Sequence, residues 1–122
     1  MGRNKSFDRQ LVIQQISKLF VTNGFNATSL DEIVKETGLL RGSLYSTFGS
    51  KLGMFITALE DSLEKNNDFK LGILIVALLE VSPKNNQVHH IVHNWYQNND
   101  SNNLAEMLGT ELLKHGDILE KK

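Results

Sequence analysis

The residues best suited to chemistry in this 122-residue chain lie between positions 28 and 51, and the chemistry they suit is recognition rather than bond making. Arg41 carries a planar guanidinium able to pair bidentately with a guanine edge or with a phosphate. Ser43, Tyr45, Ser46 and Thr47 follow at spacings that keep them off the face taken by Leu44 and Phe48 on a short helix. Gly42 leaves room for a close approach of the backbone. Tyr45 and Lys51 suit phosphate anchoring, which sets register without reading a base. Lys51 falls in the first turn of the next helix, where free amides and an ammonium group combine into an anion-binding end.

Those side chains need a frame, and the flanking sequence supplies one. Ser29 and Glu32 have capping-box spacing and predict a helix start just ahead of Ile33 and Val34. Gly38 predicts the tight turn that ends this helix, and the second helix runs from about Arg41 to Phe48, which together read as a helix-turn-helix. Upstream, Val12, Ile16, Leu19 and Phe20 recur at helical spacing until Asn23-Gly24 stops them. Three helices then enclose a small core of Ile16, Phe20, Phe25, Leu30, Ile33, Val34, Leu39, Leu44 and Phe48, with Phe25 plugging the space between the first two. Ahead of them, Arg3 and Lys5 stand on an arm able to lie along a phosphate backbone.

Downstream, Ser50 predicts the start of a fourth helix with the stripe Leu52, Phe55, Ile56, Leu59 and Leu63. FKLGILIVALLEV, from Phe69, is apolar on every side and predicts a helix buried all round, too short to span a bilayer. Ser82-Pro83 reads as an N-cap followed by proline at the first helical position, opening a helix striped by Val88, Ile91, Val92 and Trp95. The stretch from Asn98 to Asn103 breaks that helix. A last one carries Leu104, Met107, Leu108 and Leu112, with Asn103 as its cap, Glu106 as the partner acid and Gly116 as its end, ahead of a short apolar tail at Ile118 and Leu119. The reading is all-α, about seven helices, with a helix-turn-helix head over 1–51 and a connecting helix plus a short helical half over 52–122.

Composition narrows the function classes. A chain that is 40% hydrophobic and 22% charged folds around a core, and the absence of cysteine excludes disulfides and thiolate metal sites. No transmembrane or leader segment is recognisable, so a cytoplasmic location is expected. The net charge of -1 conceals an asymmetry: residues 1–51 hold seven Lys or Arg against four acids, and residues 52–122 hold six against ten. A cationic part fits phosphate contacts and an acidic part fits protein contacts. His89 and His93 lie four residues apart, a spacing open to metal, but no acid sits within a turn of them, and no cofactor or metal is expected. No nucleophile, base and orienter stand in a recognisable set, and an enzyme is not expected. Phe69, Trp95, Tyr96 and Met107 are candidates to line an apolar effector pocket, although aromatic and Met residues at helical spacing more often fill the core.

With these residues laid out, the first 60 or so positions closely resemble the TetR family of bacterial transcriptional regulators. The resemblance rests on Leu19-Phe20, Gly24-Phe25, Ala27-Thr28-Ser29, Ile33, Gly38-Leu39, Gly42-Ser43-Leu44-Tyr45, Phe48 and Ser50-Lys51, in order and at the family's spacing. It implies a homodimer on double-stranded DNA with recognition helices in successive major grooves, and a face of Arg41, Ser43, Tyr45, Thr47 and Lys51 toward the duplex. It also implies a repressor relieved by a small apolar effector. Three positions depart from the pattern: Leu40 replaces a capping Ser or Thr, at a cost of roughly 0.5–2 kcal/mol; Thr47 replaces an aromatic or His; and Leu52-Gly53 replace acids. The second half is also shorter than the family's, which leaves open an alternative role as an interaction protein pairing with a full-length relative.

Overall fold

Short polar side chains and glycines set the helix boundaries in the computed structural model, which describes residues 7–99 and 103–116. Among them are seven α-helices and no strand: α1 (Arg9–Asn23), α2 (Leu30–Thr37), α3 (Arg41–Phe48), α4 (Lys51–Lys65), α5 (Lys70–Val76), α6 (Asn86–Asn98) and α7 (Leu104–His115). A π-helical turn, Ala77–Val81, continues α5. Arg3, Lys5, Ile118 and Leu119 lie outside the described residues.

Side-chain caps open three of the first four helices, and the remaining one lacks a cap, as the Leu40 departure predicts. Asp8 accepts from the amides of Gln10 and Leu11 at the start of α1. Ser29 and Glu32 close a full capping box, with bonds of 3.0 and 2.9 Å. Gly38 ends α2 at φ +75°, a left-handed conformation that a side chain disfavours. Ser50 opens α4 by accepting from the Gly53 amide at 2.9 Å. The exception is α3, where Leu40 stands at the N-cap with no side-chain bond and is 76% exposed.

α1 is the axis of the molecule, packed against α2, α4 and α5, while α3 rests on α4. One continuous core runs from Val12 to Val92 and takes in Phe20, Ile33, Leu44, Phe55, Leu59, Ile73 and Val88. At its centre the rings of Phe20, Phe25 and Phe55 meet pairwise at 5.2–5.8 Å. Phe25 therefore packs its ring against both α1 and α4. α4 buries Met54, Ala58 and Ser62 as well as Phe55, Ile56 and Leu59, because it is covered on two sides.

Three expectations for the second half need correction. The segment after Phe69 is buried only through Ala77 and again at Val81; Leu78 and Leu79 are 40% and 60% exposed. The π turn, closed by Ser82 N donating to Ala77 O at 2.7 Å, turns those two side chains outward. Ser82 is accordingly the exit of that turn rather than the start of α6. Pro83 cannot extend the preceding hydrogen bonds, and Asn85, in extended conformation, caps α6 by accepting from Val88 N at 2.9 Å. At α7, Asn103 has α-helical backbone and its side chain makes no cap bond, so the capping box expected with Glu106 is not formed.

Candidate nucleic-acid interface

α3 has a buried side and an exposed side. Leu44 and Phe48 are buried, Arg41, Gly42, Tyr45 and Ser46 are exposed, and Ser43 and Thr47 are half-buried. Tyr45 is 47% exposed, so its ring is not part of the core. Ser46 donates back to the Ser43 carbonyl at 3.2 Å, a bond that α3 can exchange for an outside partner without unfolding. Thr47 departs from the expected outward-facing set: its hydroxyl is buried and makes no hydrogen bond.

The two basic residues at the ends of α3 are both engaged. The Arg41 guanidinium pairs with the Asp31 carboxylate, near the start of α2. Both side chains are more than half exposed, and an exposed pair of this kind contributes only about 0–1 kcal/mol. Arg41 can therefore exchange Asp31 for a phosphate or a base edge at little cost. Lys51, the first residue of α4, reaches back over the α1–α2 loop: its Nζ lies 4.5 Å from the centre of the Phe25 ring and 3.5 Å from Asn26 O. The ammonium group is thus held over the α1–α2 loop by weak partners.

Two further side chains frame this surface. The Arg9 guanidinium sits 5.6 Å from the centre of the Phe48 ring, placing a cation at the C-terminal end of α3. Glu80, from the π turn, accepts from the amides of Phe25 and Asn26 at 3.0 and 2.8 Å, holding the loop over which Lys51 lies. Neither residue was singled out in the sequence. Arg9 carried a usable signal as a cation at the head of α1, whereas Glu80 lies 54 residues from Asn26 and no local pattern connects them.

The second half contains an apolar cavity of about 330 Å³ between the π turn, α6 and α7. Trp95 and Tyr96 line it, as expected, together with Leu74, Leu78, Val92 and Leu108, and with Ser82, His89 and His93 as its polar members. Phe69 is not among its walls. Met107 faces a separate open groove along α7 with Leu71 and Lys114. The sequence reading missed Leu74, Leu78 and Val92 because their helical spacing is equally that of core residues. The imidazoles of His89 and His93 stack with centres 6.1 Å apart, and no group of three metal-binding side chains occurs among the described residues.

Comparison with known proteins agrees with the geometry of the head. Residues 12–58 match the family described as bacterial regulatory proteins, tetR family. The chain is 40% identical over 67 residues to the uncharacterized HTH-type transcriptional regulator YezE of Bacillus subtilis (strain 168), a match over 55% of this chain and 34% of that protein. It is 38% identical over 64 residues to the HTH-type transcriptional repressor ComR of Escherichia coli (strain K12), covering 52% of this chain and 30% of that one. It is also 37% identical over 60 residues to the repressor BdcR of the same organism, covering 49% and 30%. The matches thus span about a third of the length of these relatives. No solved structure matches the chain. From Val12, in α1, to Ala58, in α4, this chain is similar to the bacterial regulatory proteins of the tetR family.

Proposed function

We propose that this protein is a transcription regulator that acts in the cytoplasm, a repressor that binds double-stranded DNA as a homodimer and is released by a small apolar effector. The observation that carries the reading is the exposed face of α3: Arg41, Gly42, Tyr45 and Ser46 are open to solvent, while Leu44 and Phe48 fix the helix from below. In this reading Arg41 and Ser43 address base edges in the major groove, and Tyr45 and Lys51 hold phosphates. Thr47 contributes through its position on the helix rather than through its buried hydroxyl. Two of the matched relatives carry the name repressor, which favours that sign of regulation.

A single three-helix head covers one half-site, and affinity comes from presenting two. The second half has exposed apolar side chains to offer a partner subunit, among them Leu79, Leu112 and Leu113 at 60%, 44% and 45% exposure. The cavity walled by Trp95, Tyr96 and Leu108 has the size and apolar lining of a small-ligand site.

Selection from random duplex DNA, combined with sedimentation, tests the proposal. A palindromic site with half-sites about one helical turn apart is expected. Lys51→Ala should weaken binding to all sequences alike and, with one lysine lost from each subunit of the dimer, lower the salt slope of log K by about 2. A confirmed dimer that enriches no motif overturns the reading. A thermal-shift screen with lipophilic cations and acyl compounds tests the effector, and no stabilisation by any of them removes that part.

A further inference from the structure

The α1–α2 loop, Gly24 to Ser29, joins the first helix to the helix-turn-helix, and its polar groups are held from three directions. Thr28 Oγ1 donates to Gly24 O at 2.6 Å from within the loop, with its own side chain fully buried. Lys51 Nζ approaches Asn26 O at 3.5 Å and lies over the Phe25 ring. The amides of Phe25 and Asn26 both donate to one oxygen, Oε1 of Glu80, which comes from the π turn of the second half. The other carboxylate oxygen of Glu80 lies against Gly24, so close that a Cβ there would stand 2.4 Å from it. Gly24 at φ +87° thus serves two needs, a turn that side chains disfavour and a seat for a carboxylate.

From this geometry we infer that Glu80 is a positioning residue for the nucleic-acid interface: it fixes the loop on which Lys51 rests and so sets where the ammonium group stands. The inference rests on the DNA-binding reading above. Two charge-assisted bonds to adjacent amides hold a loop in one conformation. Were they removed, the Phe25 ring and the Asn26 carbonyl would be free to move, and Lys51 would lose the surface that orients it. The placement of Glu80 depends on the π turn, whose extra residue per turn changes the directions of all five of its side chains. The same turn lends Leu78 to the cavity, so the effector site and the loop are joined through five residues.

The test is a double-mutant cycle on the full chain with a duplex selected from random DNA, using Glu80→Gln, Lys51→Ala and the pair, each checked by circular dichroism for parental helicity at the assay temperature. Glu80→Gln should cost about fivefold in affinity, at the lower end of ordinary coupling. In the Lys51→Ala background the same change should cost less than about twofold, within the scatter of additive effects. Glu60→Gln, on the exposed side of α4, removes the same charge away from the loop and should not lower affinity. Hydrogen exchange at the Asn26 amide should accelerate in Glu80→Gln and stay parental in Glu60→Gln. An equal loss in both backgrounds, no loss in either, or unchanged exchange at Asn26 overturns the role of Glu80 while leaving the DNA-binding reading intact. A parent chain that selects no duplex overturns that reading, and the positioning role with it.

Discussion

Gly53 offers a sharp test of how the interface is held together, because it stands where α3 hands over to α4. A Cβ built at this position would lie 2.0 Å from the carbonyl oxygen of Phe48 and 3.1 Å from its carbon. A carbon and a carbonyl oxygen normally rest about 3.3 Å or more apart, so Gly53→Ala must open the junction by about 1 Å. The obstacle is backbone at the end of a helix, and no rotamer change removes it. Overpacking of this kind costs about 1–3 kcal/mol, and the helix-propensity gain of alanine returns up to about 1 kcal/mol. The expected net effect is a destabilisation of about 1–2 kcal/mol. Gly109 in α7 is the control, since a Cβ there meets nothing within 4 Å. Gly109→Ala should stabilise by about 0.5–1 kcal/mol. Urea denaturation of the two variants should separate their midpoints by about 0.5–3 M, given a slope of about 1–3 kcal/mol per M. Duplex affinity, measured well below both transitions, should fall for Gly53→Ala, because the shift moves Lys51 relative to Tyr45, and stay parental for Gly109→Ala. A Gly53→Ala protein as stable as the parent would refute the close α3–α4 contact on which this placement rests.

Two other substitutions separate folding from recognition. At Gly42 a Cβ would meet nothing within 4 Å, so the fold does not require glycine there; Gly42→Ala should leave stability unchanged or raise it by up to about 1 kcal/mol. Its duplex affinity should nonetheless drop about tenfold or more, about 1.4 kcal/mol, and an unchanged affinity would show that the α3 backbone does not come close to DNA. Ser62 is fully buried and its hydroxyl has no hydrogen-bond partner; Ser62→Ala should raise the unfolding free energy by about 1 kcal/mol with duplex affinity unaltered, read by denaturation and by titration.

The parts of the molecule legible in the sequence are those whose causes are local. The Ser29–Glu32 box, the Gly38 turn and the Ser50 cap each depend on residues within four positions, and each forms as read. The outward face of α3 was legible for the same reason, with Thr47 as the exception, since the burial of its hydroxyl depends on how α3 meets its neighbours. Ser82-Pro83 misled because a helix entry and a helix exit share the same residue types, and the π turn that decides between them has no periodic signal of its own. Phe69 and Met107 were grouped with Trp95 and Tyr96 by residue type, but cavity walls are set by which helix faces converge.

The position of Glu80 was illegible for the strongest reason, and it bears on how the two halves of the chain depend on each other. Gly72 lies against Val21 so closely that a Cβ would stand 2.7 Å from its Cγ1, which seats α5 on α1. From the π turn that follows, Glu80 meets Gly24 at the end of α1. A three-helix head has its amides, its carbonyls and its cation arranged around one loop, and two of those amides are satisfied only from the second half. The acidic character of that half therefore does more than offset the cationic head, since one of its carboxylates completes the hydrogen bonding of the α1–α2 loop.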